Sequence, residues 1–252
     1  MYGRLRRERM KFENTEVWGF EHSLRGMRNA MESWDKSDSL FNSYYDLSRG
    51  DVSESYLRKF NKDLHIHHKT PDGYFVDIIG ENDLKLAQTL IKAGSADSKY
   101  LRMIHVAVDV DMPRYWWSEA DTYHFNTKNS CSTMHKLLNN TDPITLDMFM
   151  ICEEDIDWWT TTVNNLEDLR KQYKEIQVTT RDSKAMNRLL VRAKRMLPEG
   201  FEQMRTWDTN YAEIRNMYFQ RRHHRLKEEW VDTFCKWVES LPYAKELIMY
   251  EG

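Results

Sequence analysis

The sequence predicts an α+β fold, a small β-sheet flanked by long helices, and three observations carry that expectation. In "LRMIHVAVDVDMP", Ile104, Val106, Val108 and Val110 alternate with His105, Ala107, Asp109 and Asp111. That is the period-two pattern of a strand with one buried face. In "DLHIHHKTPDGYFVDII", the turn signal Pro71-Asp72-Gly73 separates two short alternating runs and predicts a hairpin. From about residue 114 onward the pattern turns helical, which predicts helices over 154–175, 182–197, 203–222 and 226–240.

The remaining elements follow in order. "MYGRLRRERMKF" is basic, lacks the apolar block of a signal peptide and reads as a solvated lead-in. Phe20, Leu24, Met27 and Met31 recur at helical spacing and predict a first helix. Residues 36 to 63 are polar, with Ser and Asp clusters, and read as loop and short helix. "NDLKLAQTLIKAG" is a compact amphipathic helix closed by Gly94, and Pro113 stops the strand that follows it. No repeat, low-complexity linker or composition break interrupts the chain, so residues 1–252 read as a single α+β domain.

Composition narrows the function classes. At 40% hydrophobic and 31% charged, the chain suits a soluble globular protein with a core of useful size. A formal net charge of -3 gives no global field toward nucleic acid or an anionic membrane, so neither is expected as a partner. No apolar run approaches the roughly 18 residues of a membrane span. Cys131, Cys152 and Cys235 are widely spaced, without a CxxC, which suits reduced thiols in a cytoplasmic setting. Nine Trp and 14 Met are generous for one domain and point to subunit or ligand surfaces as well as a core.

Simple catalytic signatures are lacking. His65 and His67 share a strand face, but no third ligand or Cys lies at a recognised metal spacing, and no metal is expected. His223 and His224 continue a basic helix end. Glu153, Glu154, Asp155 and Asp157 look like the acidic first turn of a helix rather than paired catalytic acids. No Ser or Cys sits in a nucleophile elbow, so no catalytic residue is named.

One stretch stands apart. "YWWSEADTYHFNTKNSCSTMHK", residues 115 to 136, packs five aromatics, two histidines and a run of hydroxyl residues together. With the strand and proline before it, this segment resembles the flavin-dependent thymidylate synthase family, whose hallmark has the form R-H-R-x-x-S-x-N-E-x-S-x-R. Aligned from Thr122, the matches are Asn129 and Ser132, with Thr127 standing for Ser and His124 for an Arg. The C-terminal half carries the family's L-P, W, N, N and R in order, as Leu197-Pro198, Trp207, Asn210, Asn216 and Arg221. The similarity reaches back to "MESWDK", with a variable insertion at about 36–80.

The resemblance implies a homotetramer whose active sites form between subunits, where flavin adenine dinucleotide (FAD) and deoxyuridine monophosphate (dUMP) stack. It implies nucleotide contacts from Glu119, Tyr123, His124, Thr127, Asn129, Ser132, Arg205 and Arg221. Thr122, Asn210 and Asn216 would lie by the flavin. Rings in such a cleft stack on bases, and hydroxyl and amide groups satisfy sugar and phosphate oxygens.

The departures carry equal weight. The two arginines that start the hallmark are replaced, by Thr122 and His124; the hallmark Glu is Ser130, the closing Arg is Met134, and the family's flavin histidine is Met103. Arg205, Arg222, Lys128 and Arg114 are the cations expected to replace the missing ones in part. The first reading is therefore a nucleotide-binding protein, of the kind a virus or mobile element uses to sequester a ligand, with standard catalysis lost. The alternative is an active divergent enzyme methylating dUMP with FAD and methylenetetrahydrofolate. A purely structural scaffold is the third.

Overall fold

A computed structural model describes residues 10–46 and 64–252. The chain runs β1 (Lys11–Trp18), α1 (Phe20–Met27), β2 (Leu40–Asp46), β3 (Leu64–Thr70), β4 (Gly73–Ile78), α2 (Glu81–Ala93) and β5 (His105–Pro113). It continues with α3 (Arg114–Ala120), β6 (Thr127–Ser130), α4 (Thr133–Lys136), α5 (Ile156–Val178), α6 (Ser183–Met196), β7 (Glu202–Asn210) and α7 (Tyr211–Arg221). One sheet has the order β1-β5-β7-β6, the other β2-β4-β3. The α+β expectation is met. Residues 109–122 and 128–206 group in one compact unit, and residues 12–46, 64–108, 123–127 and 207–252 in a second.

The strand read from alternation forms as predicted. Ile104, Val106, Val108, Val110 and Met112 are all buried, while the residues between them are half-exposed. Pro113 closes β5 and is also the residue before α3, where its fixed φ of -65° leads into the first helical turn. The hairpin is present as β3 and β4, paired antiparallel across Pro71-Asp72, and β2 adds antiparallel to the other edge of β4. Gly94 ends α2 at φ 120°, a conformation open to glycine and strained for other residues.

Five expectations are corrected. Residues 202–210 form strand β7, so the helix expected over 203–222 begins only at Tyr211. Residue 114 does not open an unbroken helical half, because β6 and β7 follow it. The polar run after residue 36 contains β2, and the lead-in gives way to β1 at Lys11; residues 1–9 and 47–63 lie outside the described residues. Over 226–240 the chain is helical, but Lys227–Cys235 winds in the wider π form before Lys236–Glu239 tightens to α. A second π segment, Ala244–Ile248, is closed by the Met249 amide donating to the Ala244 carbonyl at 2.7 Å, five residues back.

In the second unit, Phe20, Tyr211, Trp207, Trp230, Phe234 and Leu247 fill a buried core, with Phe20 and Tyr211 rings edge-to-face at 5.8 Å. The phenol of Tyr211 donates to the Pro242 carbonyl at 2.5 Å and that of Tyr100 to Ala87 at 3.0 Å. Burial raises both phenol pKa values above the ordinary range, and it pushes the Cys235 thiol up to about 11. Gly19 (φ 96°) threads between β1 and α1 so closely that a Cβ there would sit 2.2 Å from the Met103 carbonyl oxygen. Buried Asp83 accepts from Arg28 Nε at 2.6 Å and from the hydroxyls of Ser37 and Ser39. Both oxygens of that carboxylate are thereby hydrogen-bonded and its charge is paired with Arg28, as a buried charge requires.

In the first unit, Phe149, Trp159, Val163, Leu166, Leu169, Ala193 and Leu197 pack α5 against α6. Ser183 starts α6 after Asp182, whose carboxylate accepts from the Lys184 and Ala185 amides at 2.9 and 3.1 Å. Glu153–Asp155 forms the acidic turn just before α5, as its composition indicated. Among the described residues, no helix is long and apolar enough to cross a membrane.

Candidate functional site

The second unit holds a cavity of about 460 Å³ built on the β7–α7 junction. Asn210 is the last residue of β7 and the cap of α7, and its side-chain oxygen accepts from the Glu213 amide at 3.1 Å. Its amide nitrogen donates to the Phe125 carbonyl at 3.3 Å. One and a half turns on, Asn216 accepts from Gln220 Nε2 at 2.8 Å. Both asparagines line the cavity, together with Arg102, Phe125, Arg215 and Phe219.

The cations of this cavity lean on rings. The Arg102 guanidinium lies 5.7 Å from the Phe125 centroid, and that of Arg215 lies 4.6 Å from Phe219. Arg215 also donates to the Ile248 carbonyl at 2.6 Å. Burial lowers the Arg215 pKa, offset in part by the Tyr100 phenol and Glu251, and the group stays charged at neutral pH. Among the described residues neither Arg102 nor Arg215 makes an ion pair.

Tyr123, Gln220 and Arg221 form a neighbouring cluster in the same unit. The Tyr123 phenol donates to Gln220 Oε1 at 2.9 Å and accepts from Arg221 Nε at 2.9 Å. The Arg221 guanidinium lies 4.5 Å from the Trp230 ring centroid and 5.5 Å from that of Tyr123, and its Nη1 is 2.9 Å from His224 Nε2. Tyr123 is buried, whereas His124 and Thr127 are exposed. Met103, at the family's flavin-histidine position, lines a second cavity of about 620 Å³ with His22, Arg25, Trp34 and Lys99.

The first unit holds the rest of the hallmark. Arg205 Nη1 lies 3.1 Å from both carboxylate oxygens of Asp121, with its guanidinium 4.4 Å from the Trp117 centroid. Lys128 reaches the same carboxylate at 3.3 Å. Arg114 pairs with Glu199 at 3.1 Å, and in the second unit Arg222 pairs with Glu251. The four cations expected to replace the hallmark arginines therefore all have carboxylate partners. The Thr122 hydroxyl donates to the Glu119 carbonyl at 2.7 Å; Asn129 is exposed on β6. Ser132 caps α4, accepting from the His135 amide at 3.3 Å, and lines a cavity of about 300 Å³ with Cys131, Ile144 and Phe201.

Sequence reasoning missed Asp121, Phe125, Arg102 and Arg215. Asp121 sat one position before the hallmark and was a visible signal, being an acid next to a site that needs cations. Arg102 and Phe125 meet only through folding.

Among the described residues, no cluster of three metal-ligating side chains occurs. No family model and no curated protein matches the chain. Solved structures do match, and the fold they share with it is that of the flavin-dependent thymidylate synthases, in a divergent sequence. Thymidylate synthase X from Helicobacter pylori with FAD and dUMP superposes with a TM-score of 0.61 at 14% identity, covering 95% of this chain and 96% of that one. A second structure of that enzyme from the same organism, complexed with FAD and dUMP, gives 0.51 at 16% identity over 83% and 97%.

Proposed function

We propose that the protein binds a nucleotide at the Asn210–Asn216 cavity and that standard thymidylate synthesis is lost or very slow. The observation that carries the reading is the cavity lining itself. It offers two amides for a base or sugar edge, the Phe125 and Phe219 rings for a flat ligand, and two guanidiniums without ion-pair partners among the described residues. A volume of about 460 Å³ lies within the roughly 300–1,000 Å³ of small-molecule sites. The neighbours' ligands, FAD and dUMP, support a nucleotide as the class.

Loss of the standard reaction rests on charge. A nucleotide monophosphate and the FAD pyrophosphate bring about two negative charges each, and placing them together requires several available cations. The hallmark segment does not fit a pyrophosphate: Thr122 replaces an arginine and already donates to Glu119, and Asp121 offsets one of the two charges that Arg205 and Lys128 bring. Asn210 and Asn216 do fit the edge of a flavin ring or of a base, so a flavin held without the usual pyrophosphate grip is the cofactor these residues accommodate. A homotetramer, with the cleft completed by a second copy, belongs to the same reading.

The test is twofold. Purified protein is denatured and its supernatant analysed by mass spectrometry, with release of a nucleotide expected. The folded protein is then mixed with FAD, a reductant, methylenetetrahydrofolate and dUMP, with no thymidylate expected. Turnover at the rate of an ordinary thymidylate synthase would replace this reading with that of an active divergent enzyme. Absence of any bound or added nucleotide ligand would remove it altogether.

A further inference from the structure

Helix α6, in the first unit, carries a charge distribution that the proposed function does not use. Its sequence, SKAMNRLLVRAKRM, contains no acidic residue. Lys184, Arg188, Arg192 and Arg195 are all exposed. At 100° and 1.5 Å per residue these four positions fall within about 80° of arc and span about 16 Å along the axis. Among the described residues, none of the four side chains makes an ion pair or a hydrogen bond. Lys194 shows the opposite arrangement: it turns inward to the Thr133 hydroxyl, and burial, then Arg114, lower its pKa.

A solvated helix face ordinarily mixes signs, because opposite charges four residues apart attract. Here the pairs 184–188 and 188–192 are like-charged and repel. Asp182, the acid beside them, is spent on capping the helix amides. The net charge of -3 for the whole chain conceals this stripe.

We propose that the stripe docks on the phosphate backbone of duplex nucleic acid, independently of sequence. Three of the four cations are arginines, whose forked donors match phosphate oxygens. A helix about 10 Å across enters a major groove about 12 Å wide. Single strands are disfavoured because α6 has no aromatic residue on which bases could stack. An acidic face of a second copy is a poorer match. The exposed acids Glu153, Glu154, Asp155 and Asp157 occupy only five consecutive positions, too short for a stripe of about 16 Å.

Fluorescence anisotropy of the full chain with a labelled mixed-sequence duplex tests this. Micromolar binding is expected at about 50 mM salt, with a slope of log affinity against log salt between about −3 and −4, near −0.9 per neutralised phosphate. A scrambled duplex should bind equally. The variant K184Q/R188Q/R192Q/R195Q should lose binding, and K171Q on the neighbouring helix should keep it. If the quadruple variant fails to fold by circular dichroism, R188Q/R192Q is used and should flatten the slope by about 2. Three outcomes would overturn the proposal: no duplex binding at low salt, undiminished binding by the folded variants, or preference for a single strand. A fourth is salt-sensitive self-association, seen by light scattering and abolished by R188Q/R192Q without any duplex binding, which would assign the stripe to an acidic protein face.

Discussion

The Asn210–Asn216 cavity and the Asp121 cluster both set arginines against aromatic rings, yet they offer a ligand different things. In the cavity, Arg102 and Arg215 rest on Phe125 and Phe219, and Arg215 also holds the Ile248 backbone carbonyl. In the cluster, Arg205 rests on Trp117 while both oxygens of Asp121 close on its guanidinium, and Lys128 shares the same carboxylate. A ring leaves most of an arginine's positive potential available to an incoming anion; a carboxylate cancels it. Counting basic residues near a motif therefore says little about anion binding until their partners are known.

Four measurements break or sharpen this contrast, from the largest effect to the smallest. Replacing Arg102 with Ala should weaken dUMP binding by about tenfold to a hundredfold, the loss of one charged hydrogen bond. Arg205→Ala should change the dissociation constant by less than about twofold. Calorimetry of both variants reads the difference, and equal losses would erase the distinction.

Alkaline pH should then act on the unit that holds the cavity. Tyr100, Tyr211 and Cys235 have folded-state pKa values raised by burial, so the stability they contribute is complete below their unfolded values. It is lost as pH rises, beginning near 9 for Cys235 and continuing through about 11. A melting temperature flat between about pH 7 and 8.5 and falling above about 9 is expected. A curve flat to pH 11 would contradict the burial of these groups.

Asn216→Ala should weaken nucleotide binding about fivefold, the worth of one neutral hydrogen bond of about 1 kcal/mol. The melting temperature should hardly move, since Asn216 is exposed and, among the described residues, its side chain bonds only Gln220. Asp121→Asn gives the smallest stability change, within about 1 kcal/mol because the carboxylate is half-exposed. It should raise affinity for inorganic phosphate by releasing Arg205 and Lys128. No gain would mean that those cations are held by more than the carboxylate.

Strand β5, the β3–β4 hairpin and helix α2 were legible because each repeats a period over several residues and ends at Pro or Gly. Strand β7 was not. In "EQMRTWDTN" only Trp207 and Thr209 are fully buried, so the alternation is faint, and Glu, Gln, Met and Arg favour helices. The genuine helix that follows without a break drew the strand into its own pattern. Strand β6, "TKNS", is short and polar and gives no apolar signal. Asn210 and Asn216 were legible from motif order alone. The partners that decide what each cation does were not: Asp121 meets Arg205 across 84 positions, a separation over which local spacing carries no information.

The direct passage from β7 to α7 has a mechanical consequence. Asn210 ends the strand, and Tyr211 starts the helix with no loop residue between them. Moving the strand by one residue would invert its pleat and, in the same motion, rotate the helix by about 100°. Trp207 would leave the core as Asn216 and Arg215 turned away from the cavity. The junction therefore acts as a gear, locking sheet register to the orientation of the cavity-lining face. A single glycine inserted after Asn210 would uncouple the two, whereas the same insertion at the exposed turn around Arg181 would leave that face in place.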